Sequence, residues 1–321
     1  MDIDINPEQE MLLKTVRAFM EDELYPHEEE VDTLGFVPEE LGRQIEKRAI
    51  DIGLYSANLP EDIGGGGLDY SSMALVEREY GKTSHALHSW IGRPTELLLA
   101  CEGDQIDRYL MPCLRAEKRE LFALTEPSAG SDIMSMKSNA RPDGDDWILN
   151  GSKHFISGPV MPDFAIVFAI TGIDETSRGP RKRITAFLVD VGLQGFEIAI
   201  GHKCVSYRGY HTFQLNFADV RLGPDQILGE EGRGLELSGK WLGMGRVWVG
   251  ASCCGKAERL FDLASEWAAS RQQFGKPIGQ FQATGFKLAD MAIGLKTADL
   301  LVMNRSEERR VGKECRSRGS P

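Results

Sequence analysis

The sequence predicts an α+β protein of three consecutive units. These are an N-terminal helical domain over residues 1–120, a central β-barrel domain over 121–232 and a C-terminal helical-bundle domain from 233. Three observations carry this expectation. Apolar residues recur at three- and four-residue spacing through the first hundred positions. The period shortens to strand-like runs from Phe122, and helical spacing returns at Gly234. A chain of 321 residues also exceeds the usual single core, so several packed units are expected.

Taken in order, Asn6 followed by Pro7 and Glu8 marks a helix start: a capping residue, proline at the first helical position and an acid in the first turn. Leu12, Val16, Phe19 and Met20 share one face, and Pro26 marks the end. A second helix is expected from about Pro38 to Gly53, with Leu41, Ile45 and Ala49 inward. The run Gly64–Gly67 lacks the Lys-Ser or Lys-Thr of a phosphate loop and reads as a connection. Further helices are expected over Ser71–Tyr80, Ser89–Cys101 and Gln105–Arg115.

In the β unit, Trp147–Gly158 reads as strands around an Asn150-Gly151 hairpin signal. Short apolar or alternating runs follow at Phe164–Ile170, Ile184–Val191, Phe196–Ile200 and Phe213–Phe217. Three apolar stripes then read as helix–helix core: Trp241, Met244, Val247, Trp248 and Ala251; Leu260, Leu263, Ala264 and Trp267; and Phe286, Leu288, Met291, Leu295 and Leu301.

Composition narrows the partners. A net charge of −12 argues against a nucleic-acid surface and against attraction to anionic membranes. No apolar run is long enough to span a bilayer, and the acidic start Met1-Asp2-Ile3-Asp4 is not a secretory signal. The six cysteines have neither metal-ligand nor disulfide-framework spacing, which suits a reducing, cytoplasmic setting.

One stretch organises the chemistry. Phe122-Ala123-Leu124-Thr125-Glu126-Pro127-Ser128-Ala129-Gly130-Ser131-Asp132 runs from an apolar strand into a turn of small, hydroxyl-bearing residues. Such a turn lets a flat ring or a phosphate approach the backbone closely.

Helices, a β unit opening with this turn, and helices again resemble the acyl-CoA dehydrogenase family of flavoproteins. Several motifs stand in the family's order. Ala123-Leu124-Thr125-Glu126-Pro127 through Ser131-Asp132 is followed by Leu149-Asn150-Gly151-Ser152-Lys153, and Phe155-Ile156-Ser157 stands where the family has Trp-Ile-Thr or Trp-Ile-Ser. Phe217–Arg221 and Gly229–Gly234 close the β unit. Ser270-Arg271-Gln272-Gln273-Phe274-Gly275 with Phe281-Gln282 resembles the family's Arg-x-x-Phe-Gly segment and the Gln after it.

The resemblance implies FAD as cofactor and α,β-dehydrogenation of an acyl-CoA thioester: a carboxylate removes the α proton while the β hydrogen leaves as hydride to flavin N5. It implies cofactor contacts from Phe122, Leu124, Thr125, Gly130, Ser131, Phe155, Ile156 and Ser157. Arg271, Gln273, Phe274, Phe281 and Gln282 would reach FAD held mainly by a neighbouring subunit. Ser131 and Arg246 would meet the substrate, and no metal is implied. The implied partners are an acyl-CoA, an electron-transfer flavoprotein or similar acceptor, and further copies of the chain in a homodimer or homotetramer. A non-catalytic FAD- or acyl-CoA-binding scaffold, an acyl-CoA oxidase and a flavin monooxygenase are the alternatives.

The catalytic glutamate has no candidate here. Most members carry it further along, and the residue before Arg246, where some branches place it, is Gly245. Arg305–Pro321 resembles a translated sequencing-library adapter, so the C-terminal domain is expected to be incomplete beyond about Asn304, and the chain as it stands to be inactive.

Overall fold

A computed structural model describes residues 5–177 and 179–310. The chain divides into two compact units, one of Met1–Glu28, Gly67–His88 and Gly243–Pro321, the other of Glu29–Gly66 and Ser89–Leu242. The predicted N-terminal helical region is thus shared between them.

In the first unit, α1 (Pro7–Phe19) begins as its sequence requires. The Asn6 side chain accepts from Gln9 N–H, and the Gln9 side chain accepts from Asn6 N–H in return, satisfying two donors that a helix start leaves open. Leu13 of α1 packs with Ala74 and Leu75, and with Val247, Ala251 and Met303 of the C-terminal helices. The second unit takes α2 (Glu28–Leu34) and α3 (Glu39–Asp51). The predicted Ser71–Tyr80 helix is α4 (Tyr70–Tyr80), capped by Asp69. α5 (His85–His88) is a single turn.

The expected helix over Ser89–Cys101 does not form. Two short 3₁₀ turns, Ser89–Ile91 and Glu96–Ala100, flank a break at Gly92 to Pro94. Gly92 has φ +84°, and the Tyr55 ring occupies the space a Cβ there would need. Pro94 brings no N–H to a helix. After a π-turn at Ile106–Leu110, α6 (Met111–Leu114) completes the Gln105–Arg115 segment.

The central unit is a seven-stranded sheet of β1 (Glu120–Ala123), β2 (Asn139–Asp143), β3 (Asp146–Gly158), β4 (Phe164–Thr176), β5 (Gly179–Asp190), β6 (Phe196–Ile200) and β7 (His211–Leu222). The strand order is β1-β4-β2-β3-β7-β6, with β5 also on β4. β1 runs parallel to β4, and the long ladders β3–β7 and β4–β5 are antiparallel. β4 shows why the strands read as apolar runs. Phe164, Ile166 and Phe168 face one core with Leu97, Leu98, Tyr109 and Leu110, while Ala165, Val167 and Ala169 face another with Phe187, Phe213, Leu215 and Phe217. The second core joins side chains of β1, β4 and β5 to those of β3, β6 and β7, so the sheet folds over a shared interior.

The Asn150-Gly151 pair is not a hairpin. β3 runs straight through it with a register shift, and Ser138 stands where a Gly151 Cβ would be. The chain reverses earlier, between β2 and β3, where Asp143 pairs with Asp146 and Gly144 takes φ +67°.

α7 (Gly234–Ser270) starts in the second unit and continues in the first. α8 (Gln282–Arg310) shows no break at the predicted Asn304 boundary; the rest of the predicted foreign tail, residues 311–321, lies outside the described residues. Close crossings fix α4 on α7: a Cβ at Gly81 would strike the carbonyl of Ser252, and one at Gly255 that of Arg78. Arg78 then bridges Glu258 of α7 and Asp299 of α8, at 3.0 and 2.8 Å. Beyond this crossing the core expectation fails. Met244, Val247, Trp248 and Ala251 are buried, but Leu260, Leu263 and Trp267 of α7 and Phe286, Met291 and Leu301 of α8 are exposed. The stripes are real, but among the described residues these large side chains stay largely uncovered. No described helix is long and apolar enough to cross a membrane.

Candidate flavin site

The organising loop leaves β1 and turns at once. Glu126 and Ala129 exchange backbone hydrogen bonds of 3.0 and 3.2 Å around Pro127-Ser128, and a 3₁₀ turn at Ile133–Ser135 brings the chain back to β2. Thr125 faces β3, its carbonyl accepting from His154 N–H at 2.9 Å. There β3 bulges between Lys153 and Ile156, and Phe155 takes φ +55°. That conformation is a rare one for a bulky side chain, and such strain gathers at functional sites. The bulge turns the Phe155 ring outward, 59% exposed, beside the rings of His154 and His202, 4.0 and 5.7 Å away.

The remaining candidates in this unit sort by depth. Ser131, Ser157 and Gly130 are exposed. The hydroxyls of Thr125 and Ser131 make no hydrogen bond to protein among the described residues, and Ser157 Oγ reaches only Phe155 O, at 3.4 Å. Leu124 and Ile156 are buried and have only their main chain to offer. Phe122 packs between Trp241 and Phe168, ring centroids 4.3 and 5.2 Å away, supporting the loop from behind.

Beneath the loop is a pair that the sequence did not disclose. Lys153, with 0% side-chain exposure, donates to Glu126 Oε1 at 2.8 Å and to Leu124 O at 3.0 Å. Glu126 is equally buried and also accepts from Lys137 and Ser138 N–H, at 2.7 and 3.0 Å. Burial alone would raise the Glu126 carboxyl, but Lys153 and those N–H groups outweigh it and hold the acid below its usual range. Burial pushes Lys153 the other way, down to about 8 with Glu126 opposing, so both groups are charged at neutral pH. Three donors hold the Glu126 carboxylate, and its charge is committed to the Lys153 ammonium. The 27-residue separation carries no motif; a lysine inside an apolar strand was the one available hint.

In the other unit, Arg271–Gln282 forms a small hairpin of β8 (Gln272–Gln273) and β9 (Lys276–Pro277). Phe274 and Gly275 at its tip both have positive φ, +52° and +78°, as a tight two-residue turn requires. Phe274 is 93% exposed. Arg271, Gln273 and Gln282 are exposed as well, while Phe281 is half-buried under the Lys276 ammonium, 4.4 Å from its ring centroid. Arg246 is exposed on α7, with the half-buried Gly245 before it.

Helical, sheet and helical segments in this order, around a loop of this kind, define a flavin-dependent oxidoreductase acting on a CH–CH bond. The chain belongs to the acyl-CoA dehydrogenase family: residues 6–117, 121–220 and 232–320 match that family's N-terminal, middle and C-terminal domains. It is 34% identical over 313 residues to a 3-(aryl)acrylate reductase of Clostridium sporogenes, covering 96% of this chain and 81% of that one. It is also 34% identical over 303 residues to the caffeyl-CoA reductase–Etf complex subunit CarC of Acetobacterium woodii, covering 92% and 78%. Butyryl-CoA dehydrogenase from Megasphaera elsdenii superposes with a TM-score of 0.83 at 32% identity, over 98% of this chain and 82% of that one. An acyl-CoA dehydrogenase complexed with FAD from Bacillus anthracis superposes at 0.81 with 29% identity, over 94% and 51%. FAD is the cofactor of this fold, and α,β-dehydrogenation of an acyl-CoA thioester is its reaction.

Proposed function

We propose that this chain holds FAD on the Thr125–Ser131 loop and the Phe155–Ser157 bulge, and there oxidises the Cα–Cβ bond of an acyl-CoA. The observation that carries the reading is the bulge itself: a strained, outward-facing Phe155, with the Thr125 and Ser131 hydroxyls of the neighbouring loop making no hydrogen bond to protein among the described residues. The residues present suit such a group. A Cβ built at Gly130 meets no atom within 4 Å, so the loop leaves room for a ligand against its backbone. His154 Nδ1 is buried without a hydrogen-bond partner, leaving a polar atom for a bound group to satisfy.

When bound, FAD supplies the two-electron acceptor for the β hydrogen. Phe155 offers an apolar face for a flat ring, and Thr125 and Ser157 offer donors at its rim, where negative charge develops. Ser131, exposed at the loop's outer end, suits the acyl-CoA tail. Arg246 is the cation for the substrate's polar end. We assign no residue as the base, since Glu126 is committed to Lys153.

Arg271, Gln273, Phe274, Phe281 and Gln282 serve the FAD of a second copy in a homodimer or homotetramer. A fully exposed phenylalanine on a strained turn is offered to something outside its own chain, and the uncovered stripes of α7 and α8 supply apolar surface for such an assembly. An electron-transfer flavoprotein is the proposed electron partner, supported by the relative that is a subunit of an Etf complex.

The chain should purify yellow and release FAD on denaturation. Anaerobic titration with a series of acyl-CoAs should perturb the flavin band as they bind, and the acyl chain length that binds most tightly identifies the substrate class. Colourless protein that takes up no added FAD defeats this reading.

A further inference from the structure

We infer that the buried Glu126–Lys153 pair is the positioning joint of the cofactor site, locking the Thr125–Ser131 loop to the Phe155–Ser157 bulge so that both walls are set before a ligand arrives. The inference rests on the reading that these two segments hold FAD.

The pair sits where the two walls meet. Glu126 follows Thr125 directly, and Lys153 lies two residues before Phe155. Through one ammonium, β3 grips the loop at Leu124 O and at the Glu126 carboxylate, 3.0 and 2.8 Å away. Through its two oxygens, the same carboxylate closes the far end of the loop on Lys137 and Ser138 N–H. The His154 N–H bond to Thr125 O lies next to this joint and completes the seam. A second lysine, Lys182 of β5, fastens the returning arm by donating to Met134 and Met136 O at 2.7 and 2.8 Å. A buried ion pair adds little to stability over an apolar pair of the same volume, which is often neutral or better. What the apolar pair cannot supply is four directed hydrogen bonds, three to the backbone at the two ends of the loop and one between the partners. The geometry of the loop, rather than the stability of the core, is what the pair specifies.

The joint makes a distinctive demand on variants. The wild-type chain, Glu126→Gln and the double variant Glu126→Leu/Lys153→Met are titrated with FAD by fluorescence. Thermal unfolding and hydrogen exchange of amides 124–138, without FAD, are measured on the same samples. The double variant is expected to unfold near the wild-type temperature, to lose amide protection in the loop and to bind FAD at least about tenfold more weakly. Glu126→Gln keeps the shape and one acceptor, and is expected to fall between the two. A double variant with wild-type FAD affinity and wild-type loop protection overturns the positioning role while leaving the FAD reading intact. Should the double variant not fold, unchanged affinity and unchanged protection in Glu126→Gln overturn it instead. A wild-type chain that binds no FAD overturns the reading and the inference together.

Discussion

The loop over residues 124–138 and the hairpin over residues 272–277 carry the two halves of the proposed cofactor site, and they are held in opposite ways. The two ends of the loop are tied to the sheet below, by Lys153 at Leu124 and Glu126 and by Lys182 at Met134 and Met136. The hairpin has two ladder pairs, a strained tip and a phenylalanine in open water. The first half is preorganised by its own chain: its main chain is held before anything binds, while the Thr125 and Ser131 hydroxyls and His154 Nδ1 are left for a ligand. The second is a shape without packing, which is what a contact destined for another subunit looks like in isolation. Changes in the loop should therefore alter local order together with binding, and changes in the hairpin binding and assembly without local order.

The largest effect belongs to the joint. Lys153→Met leaves Glu126 buried without its counter-charge and should cost about 3–5 kcal/mol in urea unfolding. A loss below about 1 kcal/mol would place the pair among ordinary surface bridges, despite its burial.

Glu96 sharpens the contrast within the same unit, because it is a half-buried carboxyl without a lysine. Burial pushes it up to about 7, and the Asn58 hydrogen bond and Arg93 charge restore it only in part. The folded chain therefore binds a proton that the unfolded chain has released between about pH 4.5 and 7. Stability from this group is full below that window and is lost as pH rises through it. Glu96→Gln should remove a slope of about 2–3 kcal/mol across those pH values. An unchanged pH profile of unfolding would show the carboxyl to be solvated.

Arg271 tests the other half. Arg271→Ala should leave the unfolding free energy alone, since the side chain is exposed, yet weaken FAD retention by about 1.5–3 kcal/mol through loss of a charge-assisted contact. Equal FAD affinity in variant and wild type would make Arg271 a solvated helix-end cation.

What could be read from sequence divides along the same line. The Asn6 cap and the apolar β4 are local, so residue type and spacing were enough to find them, whereas the Arg271–Gly275 segment was found through its family resemblance. Asn150-Gly151 misled because the same glycine freedom serves a turn or a bulge, and only Ser138 packed against Gly151 decides which. The break at Gly92 depends in the same way on the Tyr55 ring, from a distant part of the chain. The stripes of α7 and α8 were correctly seen as apolar, but periodicity does not say whether the covering surface lies in the same chain. Glu126 and Lys153 were both in view, one in the loop motif and one in the strand, and nothing in their spacing joined them.

A folding effect nearly as small as that at Arg271 is expected at Phe274. Its ring touches little in its own chain beyond an edge-on approach to Phe281 at 6.2 Å, and its φ of +52° is disfavoured for alanine as it is for phenylalanine. Phe274→Ala should therefore shift unfolding by no more than about 0.5 kcal/mol, as for other exposed positions. If the ring is an anchor for a second copy, the same change should lower the assembly state in sedimentation velocity at micromolar concentration and weaken FAD retention alongside it. Both consequences follow from one lost contact across chains, so they should appear at the same protein concentration. A variant that loses more than about 1 kcal/mol of folding stability while its assembly state is unchanged would place the hairpin within its own chain's core. The two halves of the site would then be held in the same way after all.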